Sequence, residues 1–298
     1  MSTVAQSDST PVVDLMLTWN TRRAMKDDIA HLTRVSVDKH IRCFAKRFPT
    51  DPLPAFTTPR LDAWIAIDLG HMAPESRNAY CSSYRTFWRW AVASGLTDHD
   101  PWPLIGRARR RTRHPRAVTP ELAADILAVA PDRARTMILL GLHCGLRVSE
   151  IAGLHREQWK RGQGKRGQGS LSVTGKGAKD RTVPVPAEAA AGLEAWCKGR
   201  YAGPMWASKR PGPGAKGNVT PGTAARVMLE ASWLVGAHVT SHQWRHTFAL
   251  EHALAGTPMP ILQRLLGHES ISSTEVYLNA AAIDLHDYVL DATYLDRG

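Results

Sequence analysis

Helix starts and stops are the most constraining signals in this chain. Thr58-Pro59, Thr119-Pro120 and Thr220-Pro221 each place a hydroxyl at an N-cap and a proline at the first helical position. Proline suits that position because its φ is already helical and its missing N–H would have no partner there. Thr257-Pro258 leads into a short helix, Ile261 to Leu266. Glycines mark the ends: Gly95, Gly145, Gly256 and Gly267 each follow an apolar periodic run. One region departs from this pattern. Ser170 to Thr174 and Arg181 to Val185 read as two strands around the turn Gly175 to Asp180. The expected fold is therefore mainly α, with an all-helical N-terminal part and a mixed α+β C-terminal part carrying a small antiparallel sheet.

A chain of 298 residues suits two domains. Residues 1–10 read as a disordered tail, 11–99 as a helical module, 100–118 as a basic linker and 119–298 as the second domain. Val12 to Trp19 predicts one helix of the module. Ser36 is read as the cap of a second, ended by Pro49 and Pro52. Glu75 to Ser94 is the clearest, with Tyr80, Tyr84, Phe87, Trp88 and Ala91 on one side. Arg77, Arg85 and Arg89 lie elsewhere on it and suit either phosphate contact or a solvated face.

The net charge of +11 and the pI near 9.8 favour a polyanionic partner, nucleic acid first. The segment from Arg107 to Arg116 holds six arginines and follows the helix-breaking Asp100-Pro101-Trp102-Pro103. An extended basic run tracks a phosphate backbone without reading sequence. The chain beyond Leu278 is acidic instead, through Asp284, Asp287, Asp291 and Asp296. Cys43, Cys81, Cys144 and Cys197 are scattered and read as free thiols of a reducing compartment. No signal peptide pattern opens the chain and no apolar run reaches membrane-spanning length, so the expectation is a cytoplasmic protein without a membrane partner.

The second domain carries the chemistry. Arg147 follows an apolar helix and has Glu150 beside it; the two form either a structural ion pair or a rigidly held phosphate ligand. Lys176 sits in the hairpin turn, where it is either a solvated lysine or one that reaches into a DNA groove. His242 and Arg245 share a helix face at i, i+3, and His268 and Tyr277 follow downstream. Together these residues suit phosphoryl transfer on a diester. Arginines hold the nonbridging oxygens, a tyrosine attacks phosphorus, a histidine takes its proton, and a lysine protonates the departing oxygen. Gly175-Lys176-Gly177 lacks the pattern of a nucleotide-binding loop. His242 and His246 lack the intervening glutamate of a zinc helix, so no metal is expected.

The motifs are Gly145-Leu146-Arg147-x-Ser149-Glu150, Gly175-Lys176-Gly177-x-Lys179-x-Arg181-x-Val183-Pro184, His242-x-x-Arg245-His246-Thr247-Phe248, Leu265-Leu266-Gly267-His268 and Tyr277. In this order they resemble the tyrosine recombinase (phage integrase) family. The resemblance covers the whole C-terminal half and, less specifically, the helical half as a core-binding domain. It implies that Arg147, Lys176, His242, Arg245 and His268 surround one scissile phosphate and that Tyr277 is the nucleophile. Lys176 would be the general acid, His242 would assist proton transfer, His268 would hydrogen-bond a phosphate oxygen, and Glu150 would support Arg147. His246 would be structural, and Tyr288 and Tyr294 lie beyond the motif. A 3′-phosphotyrosine conserves bond energy, so no cofactor is implied. The expected partners are double-stranded DNA core sites, bound by a homotetramer whose protomers hand a C-terminal segment to a neighbour. Arg109, Arg110, Arg111, Arg113, Lys179 and Arg181 are the further expected DNA contacts. Trp244 replaces the family's commoner leucine, and residues 160–169 form a longer basic loop than expected. No arm-binding domain precedes residue 11, which implies the short form: a phage or mobile-element integrase, or a chromosome-dimer resolvase. A type IB topoisomerase and a non-catalytic DNA-binding protein are the alternatives outside the family.

Overall fold

The helix signals place most of the elements of a computed structural model that describes residues 9–26, 31–109, 117–162, 169–174, 180–200, 202–208 and 217–267. The chain divides into two compact units, Met1–Thr112 and Arg113–Gly298.

In the N-terminal unit the described helices are α1 (Val12–Met25), α2 (His31–Arg47), α3 (Thr58–Asp68) and α4 (Pro74–Ala93). Thr57, not Thr58, caps α3, accepting from the Arg60 backbone N–H. Ser36 was expected to start a helix, but it lies inside α2. An apolar stripe that includes Val37, Ile41 and Phe44 buries one face of that helix, and such packing overrides a local cap preference. The core is a cluster of rings. Phe44 lies within 6.0 Å of Phe48, Phe56, Trp64, Tyr84 and Trp88.

The expected linker is shorter than its sequence implied. Trp102 and Ile105 are buried in this same core. The Asn78 side chain forms two hydrogen bonds with the Ala108 backbone, at 2.8 and 3.0 Å. Arg85 donates to the Ile105 carbonyl at 2.6 Å and lies over the Trp102 ring. Arg85 is thus not on a freely solvated face: its guanidinium holds the chain that leaves the unit. At the far end, Val118 is buried in the C-terminal unit.

The C-terminal unit opens with α5 (Pro120–Val129), capped by Thr119, and continues with α6 (Asp132–Cys144). Met137, Ile138, Leu139, Leu140 and Cys144 of α6 are all buried, as befits a helix enclosed on nearly every side. Around it pack α7 (Val148–Ala152), α8 (Ala187–Cys197), α9 (Pro221–Trp233) and α10 (Ser241–Leu254). The last described helix, α11 (Met259–Leu266), lies on α10 through Leu262 and Leu266. The sheet has three antiparallel strands in chain order: β1 (Trp159–Lys160), β2 (Gly169–Thr174) and β3 (Asp180–Val185). Leu171 pairs with Val183, and Val173 with Arg181. Among the described residues, no helix is long and apolar enough to cross a membrane.

Candidate active site

Two glycine turns position the site. α6 stops at Gly145, whose φ of +62° is left-handed. A methyl there would meet the Phe248 ring at 2.5 Å, so glycine also lets α10 come close. α11 stops at Gly267, at φ +61°. Between these turns lie the two arginines.

Arg147 precedes α7. Its backbone N–H donates to Glu150 Oε2 at 2.7 Å, closing the first turn of that helix. Its guanidinium donates to Glu150 Oε1 at 3.1 Å and to the Gly267 carbonyl at 2.7 Å. Arg245, on α10, donates to the Leu266 carbonyl at 2.7 Å and to the Gly145 carbonyl. Both guanidiniums therefore converge on the Leu266-Gly267 turn, the residues that lead into His268. The Arg245 side chain is 5% exposed and that of Arg147 is 30% exposed, so Arg147 is the one with surface open to a ligand.

Glu150 lies beneath both, 4% exposed. Burial raises its pKa. Hydrogen bonds from Arg181 and the Arg147 backbone, with both guanidinium charges, outweigh burial and hold the carboxyl below its ordinary range. Arg181 was expected to touch DNA. Instead its Nη1 and Nη2 donate to Glu150 Oε1 and Oε2 at 2.7 and 3.0 Å, and its side chain is 16% exposed. The reason was readable in strand parity: Arg181 shares a face with the buried Val183 and Val185, so it points inward.

His242 stands exposed at the start of α10, a helix whose N-terminus is closed by Thr240 and Gln243. Partial enclosure lowers its pKa, and the charges of Arg245 and then Arg147 add to that. It is therefore neutral near pH 7 and able to accept a proton. The His246 ring is stacked against it at 5.9 Å, and its pKa is lowered by burial, by His242 and by Arg245. Trp244, between the two histidines, is fully buried against α6, where Gly141 leaves room for it: a methyl there would lie 3.1 Å from Trp244 Cβ.

Lys176, Lys179, His268 and Tyr277 lie outside the described residues, as do Arg110, Arg111 and Arg113; Arg109 is described and exposed. An apolar groove of about 710 Å³, lined in part by Ala123, Leu127, Leu139 and Phe248, contains none of the arginines of the cluster. Among the described residues, no group of three or more His, Cys, Asp or Glu side chains is placed to hold a metal.

Known proteins resemble this chain in sequence and fold. Residues 116–283 match the model of the phage integrase family. The tyrosine recombinase XerC of Rhodospirillum centenum is 33% identical over 236 residues, which cover 74% of this chain and 67% of that protein. The tyrosine recombinase XerD of Pseudomonas aeruginosa is 30% identical over 251 residues, 79% of this chain and 80% of that one. A solved structure of a lambda integrase dimer bound to a core site superposes with a TM-score of 0.72 at 19% identity, covering 94% of this chain and 80% of that one. With its paired arginines and a family match across most of its C-terminal unit, the chain belongs to the phage integrase family of tyrosine recombinases, enzymes that cut and rejoin DNA strands.

Proposed function

We propose that the chain is a site-specific recombinase that cuts double-stranded DNA core sites through Tyr277 and serves a phage or mobile element as its integrase. The observation that carries the strand-cleavage part is the convergence of Arg147 and Arg245 on the turn before His268, with neutral His242 nearby. In this reading Arg147 and Arg245 hold the nonbridging oxygens of the scissile phosphate, and His268 hydrogen-bonds one of them. The Tyr277 hydroxyl attacks phosphorus and its proton passes to His242. The bond from phosphorus to the 5′ oxygen breaks, Lys176 protonates that oxygen, and a 3′-phosphotyrosine remains. The 5′ hydroxyl of a partner strand then displaces Tyr277, so the second step mirrors the first. Arg109, Arg110, Arg111, Arg113 and Lys179 follow the DNA backbone. Four protomers act on two paired sites in the cytoplasm, each passing its acidic C-terminal segment to a neighbour.

The naming of the curated relatives as XerC and XerD supports a second reading, a chromosome-dimer resolvase. The chemistry is the same, and only the arrangement of the two sites differs. One experiment addresses both. A nicked duplex carrying the sequence that the protein enriches from a randomised pool is incubated with it in chelator, beside Tyr277→Phe. A covalent adduct that the variant cannot form is expected; specific binding without an adduct would sink the cleavage reading. Sequencing the adducts trapped in cells then separates the roles. Element ends are expected of an integrase, and one fixed chromosomal locus of a resolvase.

A further inference from the structure

Glu150 is a hazard at the centre of the arginine cluster. A buried carboxylate attracts any guanidinium within reach, and Arg147 and Arg245 are both within reach: Arg245 Nη1 lies 3.9 Å from Oε2. A phosphate must compete with that carboxylate for the Arg147 guanidinium, which donates to Oε1, and for the charge of Arg245. The structure contains a third guanidinium that occupies it. Arg181 spans both oxygens of Glu150 in the forked geometry that only arginine provides. With the bonds from the Arg147 backbone and side chain, each oxygen accepts two.

Arg181 also touches the other side of the site. Its guanidinium occupies the space beside Gly267, where an added methyl would lie 2.8 Å from Nη1. Gly267 is the residue whose carbonyl accepts from Arg147 and whose successor is His268. And Arg181 belongs to β3, the strand that follows the turn containing Lys176. One side chain thus joins the hairpin, the carboxylate and the turn after α11.

We propose that Arg181 is a positioning residue for strand cleavage: by supplying two of the four hydrogen bonds that Glu150 accepts it lessens the carboxylate's hold on Arg147 and Arg245, and it fixes the hairpin to the arginine cluster. The proposal rests on the assignment of Arg147 and Arg245 as the phosphate clamp. It replaces the DNA contact expected for Arg181 from sequence.

The test separates binding from cleavage. Wild type, Arg181→Met, Arg181→Lys and Arg181→Met/Glu150→Gln are compared on the nicked duplex enriched by the protein itself. Affinity is measured across salt, adduct formation at saturating protein, and thermal melting alongside. Arg181→Met is expected to bind with unchanged affinity and salt slope while its adduct forms on the order of 10²-fold more slowly, the scale of a misplaced catalytic group. Arg181→Lys, which keeps the charge and loses the fork, should fall between. The double variant should recover part of the rate, because removing the carboxylate's charge frees the clamp, which a purely structural loss would not do. If Arg181→Met melts below the assay temperature, the lysine and double variants decide. The proposal is overturned if adduct formation at saturation is unchanged while the salt slope drops by about one, the signature of a lost phosphate contact. A double variant no faster than Arg181→Met also overturns it. Wild-type protein that forms no adduct would sink the cleavage reading first, and this one with it.

Discussion

The two units bury different things. The N-terminal unit buries rings, and the buried polar residues described in it are Asn20 and His40. His40 is held neutral: burial, then the charge of Lys39, lowers its pKa to about 4. The C-terminal unit has a mostly aliphatic core and buries ions, Glu150 and Arg245, with Arg147 and Arg181 against them. Ring clusters stabilise through area and edge-to-face contact, about 0.5–1.5 kcal/mol per pair beyond burial. A buried ion cluster adds little net stability, because desolvation offsets the attraction, but removing one member costs roughly 3–5 kcal/mol. Its presence fits the proposed phosphate clamp better than a stabilising role in the fold. The N-terminal unit is thus built to hold a shape, and the C-terminal unit to hold charge in place.

The largest effect that sharpens this contrast is expected from Arg245→Ala. Adduct formation should drop on the order of 10³-fold or more, the cost of losing a preorganised charge at a transition state. A drop of less than tenfold in single-turnover cleavage would place the clamp elsewhere. Next, Phe44→Ala opens a cavity among five rings and should cost about 3–5 kcal/mol in urea unfolding. If the transition that shifts belongs to the C-terminal unit, followed by a probe there, the two cores are not independent.

The pH response should also divide by unit. His40, His242 and His246 have folded-state pKa values below their unfolded value of about 6.5, so each contributes stability above that pH and loses it as pH falls through the folded value. For His40 the window runs from about 6.5 down to about 4 and is worth roughly 3 kcal/mol. His40→Gln should flatten that acid loss in the N-terminal unit alone. Cleavage should also fall as the pH drops below the ordinary histidine range, because His242 becomes protonated and no longer accepts the tyrosine proton. An acid limb of the cleavage profile that His242→Gln leaves unchanged would remove His242 from proton transfer. The smallest effect is local. Asn78→Ala should cost about 1 kcal/mol and speed tryptic cutting after Arg107 and Arg109. Unchanged cutting would show that Trp102 and Ile105 suffice to hold the segment.

Elements whose signals are local were legible from the residues alone. Thr119, Pro120, Gly145, Gly256 and Gly267 act through their own φ and their own hydrogen bonds, so their helix ends fall where expected. The order and spacing of the arginine, histidine and hairpin motifs were legible too, and with them the family. The inward direction of Arg181 was present in the strand alternation as well, masked by the assumption that a basic residue near a hairpin turn faces DNA. Which distant group each polar side chain meets was settled by packing instead. Asn78 and Arg85 find backbone some twenty to thirty residues away. Arg147 finds Gly267 across 120 residues, and Arg245 finds Gly145 across 100. Such partners follow from how whole helices pack: no local propensity encodes them, and a buried guanidinium takes whichever carbonyl or carboxylate the packing brings to it.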